Sequence, residues 1–328
     1  MSDRDLVVGV DIGGTSSRAL AIDLTGAPVG RGAAGGGNPN SHPPRVAAER
    51  VASAVADAVA ELDRAIVRHC VLGMAGESKF TDPAVVAVFT DTLRGIGLRC
   101  PITVVSDAEV AYASATAEPD GSVVVGGTGS VAARIVNRRK TSWVGGWGWL
   151  LGDEGSAFWT GREAVRTALR QLQGGDEVGP LADAVLTAAL GESAAYLTGD
   201  AQRRRRAVNR LITAANSETP VRLARFAGLV SDNVDADQAA KQIVADAADL
   251  LAAHVRAVRE VGERTPVVLA GSVIGPDSPF GTTLREQLTA EVSSSVLFAP
   301  DGTLGAAWLA AIEVLGPTAP RPSLRAMH

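Results

Sequence analysis

The sequence has 328 residues, of which 46% are hydrophobic and 20% are charged. This composition is that of a globular protein, and the length predicts about two domains, with one compact domain as the alternative. The formal net charge of −5 argues against nucleic acid as a partner, because neutralising a phosphate backbone requires clustered positive charge.

The apolar segments of the sequence are too short for membrane insertion. The first starts at Leu6, contains only a few residues and follows charged residues at positions 3–5, so it does not fit a signal peptide. No later uninterrupted apolar stretch reaches the roughly 18 residues that a membrane helix needs. Two cysteines, Cys70 and Cys100, are too few for a disulfide framework. We therefore expect a soluble, cytoplasmic protein with no membrane partner.

Short apolar strands alternate with helical segments in the first third of the chain, and this alternation predicts an α/β fold. The chain opens with a hairpin around Asp11-Ile12-Gly13-Gly14-Thr15, because glycine favours a tight turn. The segment at 32–44, rich in Gly, Asn and Pro, is predicted to be a loop. The predicted strands are Leu6–Val10, Arg18–Ile22, a short one near Val29, Val71–Met74 and Ile102–Val105, and the predicted helices are Arg45–Arg64, Pro83–Arg94 and Ala108–Thr116.

The opening pattern is repeated after a polar break at residues 118–121. An apolar strand, Val123–Val125, leads into the turn Gly127-Thr128-Gly129-Ser130, as the first strand leads into residues 11–15. The repeat predicts a duplicated architecture of two α/β halves with a cleft between them. The remaining predicted elements are a helix at 155–173, Ala-rich helices through Val261, a strand at Val267–Leu269, a helix within Thr283–Val292 and a final helix at Gly305–Leu315.

The two turns rich in Gly and Thr are candidate phosphate-binding elements. Where no Cβ blocks the approach, consecutive backbone N–H groups form a concave donor surface for an anion. Two such turns, at 13–15 and 127–130, could hold a polyphosphate, with Asp11 ahead of the first. Either turn alone could instead be a hairpin that needs glycine for a positive φ. The P-loop, dinucleotide and protein-kinase signatures are absent from the sequence.

Six short motifs occur in the order seen in one known family. They are Asp-Ile-Gly-Gly-Thr at 11–15, Ser-Asp-Ala at 106–108, Gly-Thr-Gly-Ser at 127–130, Gly-Gly-Trp-Gly at 145–148, Gly-Asp-Glu-Gly-Ser at 152–156 and Leu-Ala-Gly-Ser-Val at 269–273. Through these motifs, the chain from about Val7 to Leu315 resembles the BadF/BadG-type ATPase family, which includes N-acetylglucosamine kinase and bacterial glucosamine kinases.

The resemblance implies an α/β fold of two ribonuclease-H-like (actin-like ATPase) domains that flank a nucleotide and sugar cleft. We expect an N-terminal domain at 1–117, completed by the helix at 305–315, and a larger domain at 118–304. A flexible tail is expected at 317–328, where proline is frequent and no periodicity is present. Members of the family are often dimers, so a homodimer is expected.

The resemblance also implies roles for individual residues. The implied ATP-phosphate-binding residues are Gly13, Gly14, Thr15, Gly127, Thr128, Gly129 and Ser130. The implied adenosine-binding residues are Gly271, Ser272 and Val273. Asp11 would be oriented towards Mg²⁺ or its waters. Asp107 would be the catalytic base, a role that a carboxylate at the C-terminal end of a strand can fill; the alternative is a helix N-cap, for which Ser106 and Asp107 are both suited.

The sugar-binding residues implied by the resemblance are Asn38, Asp107, Asp153 and Glu154. Asn38 could instead be a turn residue, and the two acidic residues at 153–154 could cap a nearby helix. Val131 stands where eukaryotic N-acetylglucosamine kinases carry an Asn that contacts the sugar. Carboxylates at 153–154 or at Glu109 could pair with the ammonium group of an unacetylated amino sugar. We therefore expect ATP- and Mg²⁺-dependent phosphorylation of the 6-hydroxyl of glucosamine, with N-acetylglucosamine as the alternative acceptor.

Other interpretations follow from the remaining features. Trp143, Trp147, Trp149 and Trp159 lie close together in the sequence, and core or subunit-interface packing is the usual role of such residues. An ATPase activator of the same family would need cysteines from two subunits around an iron–sulfur cluster, and the sequence offers no suitable pair. A sugar-sensing regulator would need a DNA-binding module, and we expect none before Leu6. Non-enzymatic sugar binding stays open.

Overall fold

A computed structural model describes residues 5–75, 77–174, 177–191, 193 and 200–322. The strands are β1 (Leu6–Ile12), β2 (Ser16–Asp23), β3 (Pro28–Gly35), β4 (Val67–Met74), β5 (Ile102–Ser106), β6 (Gly121–Gly126), β7 (Ser130–Val136), β8 (Arg139–Gly145), β9 (Val267–Ala270) and β10 (Val296–Phe298). The helices are α1 (Pro44–Ala58), α2 (Pro83–Gly95), α3 (Asp107–Ala115), α4 (Ala157–Gly174), α5 (Pro180–Leu190), α6 (Ala201–Asn216), α7 (Ala227–Asn233), α8 (Gln238–Val258), α9 (Pro279–Glu291) and α10 (Gly302–Leu315). Within these described ranges, no helix combines the length and the apolar composition needed to cross a bilayer.

Two five-stranded sheets share one strand order. The first sheet runs β3-β2-β1-β4-β5, and the second runs β8-β7-β6-β9-β10. In the first sheet β1 is antiparallel to β2 and parallel to β4, which is parallel to β5. In the second sheet β6 is parallel to β9, which is parallel to β10. Each sheet therefore places its first strand at the centre, and the α/β duplication predicted from the repeated opening pattern is confirmed.

The chain divides into two compact units. The first contains the described residues of Met1–Asp120, Ile135–Lys140 and Ala299–His328, and the second contains those of Gly121–Arg134 and Thr141–Phe298. In the first unit α10 packs directly on β1, because a Cβ placed on Gly9 would lie only 2.0 Å from the backbone nitrogen of Ala307. The chain therefore returns after the second unit to complete the core of the first.

Several element boundaries differ from the sequence predictions. β3 continues to Gly35, whereas a loop was predicted from residue 32. The reason is a close approach of α1, since a Cβ on Gly32 would lie 2.0 Å from the carbonyl oxygen of Ala54. α1 ends at Ala58, earlier than predicted. The strands β8 and β10 were not predicted, because β8 is largely exposed and β10 is short and half-buried.

The predicted flexible tail begins with residues that pack on the first unit. The indole Nε1–H of Trp308 donates to the carbonyl of Ala319 at 2.9 Å. The Arg321 guanidinium donates to the carbonyls of Ala113 and Ser114 at the C-terminal end of α3, at 3.1 and 3.0 Å. Residues 323–328 lie outside the described residues, as do 175–176, 192 and 194–199 within the predicted helical region.

Candidate active site

The first Gly-Thr turn joins β1 to β2 at the end of the first sheet. Its Gly13 N–H donates to the carbonyl of Ser16 at 2.9 Å. Neither Gly13 nor Gly14 has a positive φ, so the turn does not need glycine for a left-handed backbone. The ring Nε2 of His42 is hydrogen-bonded to the Gly14 carbonyl at 2.8 Å, and Thr15 is exposed. The segment around His42 therefore holds one side of the turn and leaves Thr15 accessible.

Asp11 lies near the end of β1, paired in register with Arg18 of β2. An Arg18 Nη2 atom lies 2.6 Å from Oδ2 of Asp11, whose side chain is 22% exposed. Burial raises the pKa of Asp11 above its ordinary value, Arg18 opposes this rise and the Asp301 carboxylate adds to it. Asp301 caps α10, and a Cβ on Gly302 would lie 2.7 Å from Cγ of Asp11. Glycine at position 302 therefore lets α10 begin beside Asp11.

The carboxylates near the first turn fit a magnesium ion that arrives with phosphates. Mg²⁺ is commonly held by one or two carboxylates together with phosphate oxygens and water. Asp11 and Asp301 supply hard oxygen ligands of this kind. Among the described residues, no group of three or more His, Cys, Asp or Glu side chains forms a metal site. Asp11 and Asp301 therefore fit a cation that is also held by phosphate oxygens and water.

Asp107 is the first residue of α3, and it is not the residue that caps this helix. Ser106 is the N-cap, and its hydroxyl accepts a hydrogen bond from the Glu109 N–H at 3.2 Å. Glu109 Oε2 accepts from the N–H of Ser106 at 2.6 Å, which completes a capping box. Asp107 is half-buried, and its Oδ1 accepts from the N–H of Ala108 at 2.9 Å. The N-cap alternative for position 107 is therefore wrong.

The carboxylate of Glu109 interacts with other residues of the first unit. Its side chain is 8% exposed, and Oε1 lies 3.9 Å from the Arg139 guanidinium. The same oxygen accepts from the N–H of Lys140 at 3.2 Å, in addition to the bonds with Ser106. The expectation that Glu109 could pair with a substrate ammonium group is therefore not supported by its surroundings.

Asn38 shapes the segment that lies over the first turn. Its side-chain oxygen accepts from the N–H of Asn40 at 2.8 Å, and its backbone carbonyl accepts from the N–H groups of Ser41 and His42, each at 3.0 Å. Asn38 is therefore a turn residue, as the alternative interpretation of the sequence suggested. Its side-chain Nδ2 takes no part in these bonds, so a sugar contact would use that amide.

The second Gly-Thr turn is built onto the N-terminus of α4. The carbonyls of Gly127 and Thr128 accept from the N–H groups of Ala157 and Phe158, at 2.9 and 3.2 Å. Gly127 has no positive φ, and among the described residues nothing lies within 4 Å of a Cβ placed on it. Neither backbone conformation nor packing explains glycine at this position. The phosphate-binding role of this glycine stays a prediction.

The side chain of Asp153 is hydrogen-bonded to the second turn. It is 9% exposed, has a φ of 59°, and its Oδ1 accepts from the N–H of Ser130 at 3.2 Å. Burial raises the pKa of Asp153, the Ser130 bond lowers it and Glu154 raises it further. A Cβ on Gly129 would lie 2.6 Å from the same Oδ1. The Asp153 side chain therefore holds the turn, and it does not cap α4.

Glu154 and His254 form a pair that sequence reasoning missed. Their Oε2 and Nε2 atoms are 4.0 Å apart. Burial lowers the pKa of His254, and Glu154 opposes this effect. The signal was available, because position 254 falls in the helical repeat of apolar positions along α8, which includes Leu251 and Val258. Metal-ligand spacing was the wrong criterion for this histidine.

The predicted adenosine-binding residues follow β9. Gly271 has a φ of 101°, and a Cβ on it would lie 2.3 Å from the Gly126 carbonyl oxygen. The same carbonyl accepts from the N–H of Val273 at 3.1 Å. Gly271 and Ser272 are exposed. The positive φ and the close contact with Gly126 therefore explain why position 271 is glycine. The adenosine contact stays a prediction.

The clustered tryptophans have different environments. Trp143, Trp147 and Trp149 are 59%, 60% and 42% exposed, and the neighbouring Leu150 is 72% exposed. Trp159 is partly buried against the core of the second unit. Core packing therefore accounts for Trp159, and Trp149 makes an edge-to-face contact with the buried ring of Phe158.

Register places the predicted residues at one edge of each sheet. In the first sheet Ile12, Met74 and Ser106 are aligned across β1, β4 and β5. The first turn and Asp107 therefore follow strand ends separated by about 10 Å, since neighbouring strands are about 4.8 Å apart. In the second sheet Val125 is aligned with Ala270, so the second turn and the segment at 271–273 leave the sheet together. Ligands of α/β sheets bind beyond such carboxyl ends.

Two α/β units with one strand order, each with a Gly-Thr turn beyond its central strand, have the fold of the actin-like ATPases. The sequence profile of the BadF/BadG/BcrA/BcrD ATPase family matches residues 8–310. The chain therefore belongs to that family.

Individual relatives agree with this assignment. The chain is 34% identical over 101 residues to the N-acetylmuramic acid/N-acetylglucosamine kinase of Clostridium acetobutylicum, covering 31% of this chain and 32% of that protein. It is 27% identical over 187 residues to the N-acetyl-D-glucosamine kinase of Dictyostelium discoideum, covering 54% and 57%. The matches thus span about a third and just over half of these relatives. A solved candidate N-acetylglucosamine kinase of Chromobacterium violaceum is 22% identical with a TM-score of 0.71, over 94% of this chain and 99% of that one, and it shares the fold.

Proposed function

We propose that the protein is an ATP-dependent kinase that phosphorylates the 6-hydroxyl of an amino sugar. The observation that carries the proposal is the position of Asp107, a half-buried carboxylate at a strand end whose helix is capped by Ser106 and Glu109 instead. Family membership supports a nucleotide-dependent reaction. The names of the two curated relatives support a sugar acceptor.

Both Gly-Thr turns bind phosphate in this proposal. Residues 13–15 and 127–130 would donate backbone N–H and hydroxyl groups to the ATP phosphates. Residues 271–273 would contact adenosine. Asp11, with Asp301 nearby, would hold Mg²⁺ or its waters. When bound with the nucleotide, this cation would neutralise charge on the phosphate oxygens.

Asp107 would act on the sugar hydroxyl. Its carboxylate would accept a hydrogen bond from the 6-hydroxyl and orient that oxygen towards the γ-phosphorus. As the new O–P bond forms and the bond to the ADP oxygen breaks, the hydroxyl proton would pass to Asp107. Most of the rate acceleration in such transfers comes from positioning and from charge stabilisation. A single carboxylate is therefore sufficient acid–base machinery on the acceptor side.

We propose glucosamine as the preferred acceptor. Glu154 has a partly exposed carboxylate, which could pair with the substrate ammonium group, and Val131 offers no side-chain amide to an acetamido group. The Nδ2 group of Asn38 would supply a donor to a sugar hydroxyl. The second candidate is N-acetylglucosamine, and the names of both curated relatives favour it.

The test is ADP release by the purified full chain with ATP and Mg²⁺ across a panel of hexoses. We expect sugar-dependent ADP release that is fastest with glucosamine, and glucosamine 6-phosphate as the product by mass spectrometry. Faster turnover of N-acetylglucosamine would reverse the ranking of acceptors. ADP release that is the same with and without every sugar would refute the kinase proposal.

We also propose that the protein acts as a homodimer in the cytoplasm. The family resemblance supports the dimer, and the exposed side chains of Trp143 and Trp147 are candidates for its interface, because tryptophan is enriched at interfaces. Light scattering of the purified chain tests the assembly, and a monomeric mass at micromolar concentration would contradict it.

A further inference from the structure

His254 lies on the face of α8 that packs against the acidic motif at 152–156. A Cβ placed on Gly155 would lie 2.7 Å from Cγ of Leu251 and 2.9 Å from the carbonyl oxygen of Ala247. Glycine at position 155 therefore lets this face of the helix reach the motif. Positions 247, 251 and 254 follow the helical repeat, and 247 and 251 are buried. His254 therefore lies on the same helix face as these apolar residues, and its polar ring is near Glu154.

Glu154 and His254 each contain a buried polar atom without a hydrogen bond among the described residues. These atoms are Oε2 of Glu154 and Nδ1 of His254. The Glu154 side chain as a whole is 32% exposed, so the exposed part lies outside Oε2. One carboxylate oxygen is therefore turned inwards, away from solvent. Burying a carboxylate oxygen without a hydrogen-bond donor is unfavourable in free energy, because the oxygen has lost its hydrogen bonds to water.

The His254 ring is placed to supply that donor. Burial holds the pKa of His254 below its ordinary value, so the ring is mainly neutral near neutral pH. With the proton on Nε2, the donor nitrogen lies 4.0 Å from Oε2. A movement of about 1 Å would bring the two atoms to hydrogen-bonding distance. Nδ1 is then an acceptor, and leaving an acceptor unsatisfied costs less than leaving a donor unsatisfied.

We propose that His254 is a positioning residue for the sugar-binding carboxylate of Glu154. Its Nε2–H group holds Oε2 inside the second unit, so that Oε1 stays directed at the amino group or a hydroxyl of the substrate. This inference rests on the proposed sugar-kinase function. His254 acts through Glu154 and does not touch the sugar, so it affects the KM for the sugar more than kcat or the KM for ATP.

A double-mutant cycle tests the coupling between the two side chains. We expect His254→Leu to raise the KM for glucosamine about tenfold, the effect of one oriented hydrogen bond to a charged group. His254→Gln, which can place an amide donor near the position of Nε2, should recover most of the affinity. In the Glu154→Gln background, His254→Leu should change the KM by less than about twofold. Arg256→Gln is the matched control, since its ion pair with Glu291 lies on the exposed side of α8.

Nuclear magnetic resonance of the ¹⁵N-histidine-labelled full chain gives a readout that does not depend on turnover. The sequence contains four histidines, and His254→Gln assigns the signal of interest. In Glu154→Gln we expect a lower pKa for His254, because the carboxylate raises it. Saturating glucosamine should shift the His254 signal in the unaltered chain and leave it unshifted in Glu154→Gln.

The outcomes separate this inference from the function on which it rests. Equal effects of His254→Leu in both backgrounds, or an equal rise in the KM for ATP, would overturn the positioning role while the kinase proposal stands. If the unaltered chain turns over no sugar, the kinase proposal fails. In that case the histidine signal still tests the contact between Glu154 and His254. An unchanged pKa of His254 in Glu154→Gln would show that the two side chains do not interact, and a lower pKa would show that they do.

Discussion

Glu109 accepts hydrogen bonds from both the backbone N–H and the hydroxyl of Ser106, at 2.6 and 2.8 Å. These two residues form the capping box of α3, and the Asp107 side chain adds only the bond that it accepts from the N–H of Ala108. The carboxylate at position 107 is therefore not part of the capping box, and changes at positions 106 and 107 should have separable effects.

Asp107→Asn should remove the proton acceptor and leave the helix intact. We expect kcat for the sugar to fall by about 10²- to 10⁴-fold, the usual contribution of a general base, with the melting temperature and nucleotide binding retained. Ser106→Ala is the contrast, because it removes the cap and should lower the free energy of unfolding by about 1 kcal/mol. Full activity of Asp107→Asn in the ADP-release assay would remove Asp107 from the base role.

Gly127→Ala should weaken nucleotide binding without harming the fold. A Cβ at this position meets none of the described residues within 4 Å, and the residue has no positive φ. The methyl group would instead occupy the approach to the turn, so we expect a higher KM for ATP at an unchanged melting temperature. The matched control is Gly228→Ala, at which a Cβ also meets nothing within 4 Å. If the two variants have the same KM for ATP, the second turn is not a phosphate site.

Arg18→Gln should destabilise the first unit in a pH-dependent manner. The pKa of Asp11 is already raised by burial, although Arg18 lowers it; without Arg18 it would rise further. A carboxyl whose pKa is higher in the folded state loses stabilising effect as the pH rises through that range. The deficit of the variant should therefore be absent where Asp11 is protonated in both folded chains, and it should grow as the pH rises through the folded-state pKa of Asp11, which lies above the ordinary value of 3.8. Since Arg18 is 50% exposed, the full deficit should be about 1 kcal/mol. Urea unfolding at several pH values measures it, and a deficit independent of pH would exclude the ion pair as its cause.

Local sequence signals accounted for the parts of the fold that local chemistry determines. The two opening hairpins were predicted because β-branched strands and Gly-Thr turns are adjacent in the sequence. The end of β3 was missed because Gly32 serves the approach of α1, and that contact exists only in the folded chain. Likewise, the reason for Gly302 is the carboxylate of Asp11, almost the whole chain away.

The candidate site shows the same division. Motif resemblance selected Asp107 and the two turns, whereas the choice between base and cap needed the observed bonds of Ser106. His254 was overlooked because its relevance depends on a buried oxygen of Glu154, and no spacing rule joins residues 100 positions apart in the sequence. Conversely, Glu109 looked available in the sequence and is internally bonded in the structure.

Glu154→Gln should change the ranking of acceptor sugars. Neutralising this carboxylate removes the partner of a substrate ammonium group, so we expect the KM for glucosamine to rise about tenfold, as for loss of a charge-assisted hydrogen bond. The KM for N-acetylglucosamine should change little, because its acetamido group is uncharged. Glu260→Gln, whose side chain is 78% exposed and pairs with Arg134, is the control for loss of one negative charge in the second unit. Steady-state kinetics with both sugars measure the ratio of KM values. An equal loss for the two sugars would show that Glu154 contacts a hydroxyl common to both, and glucosamine selectivity would then need another source.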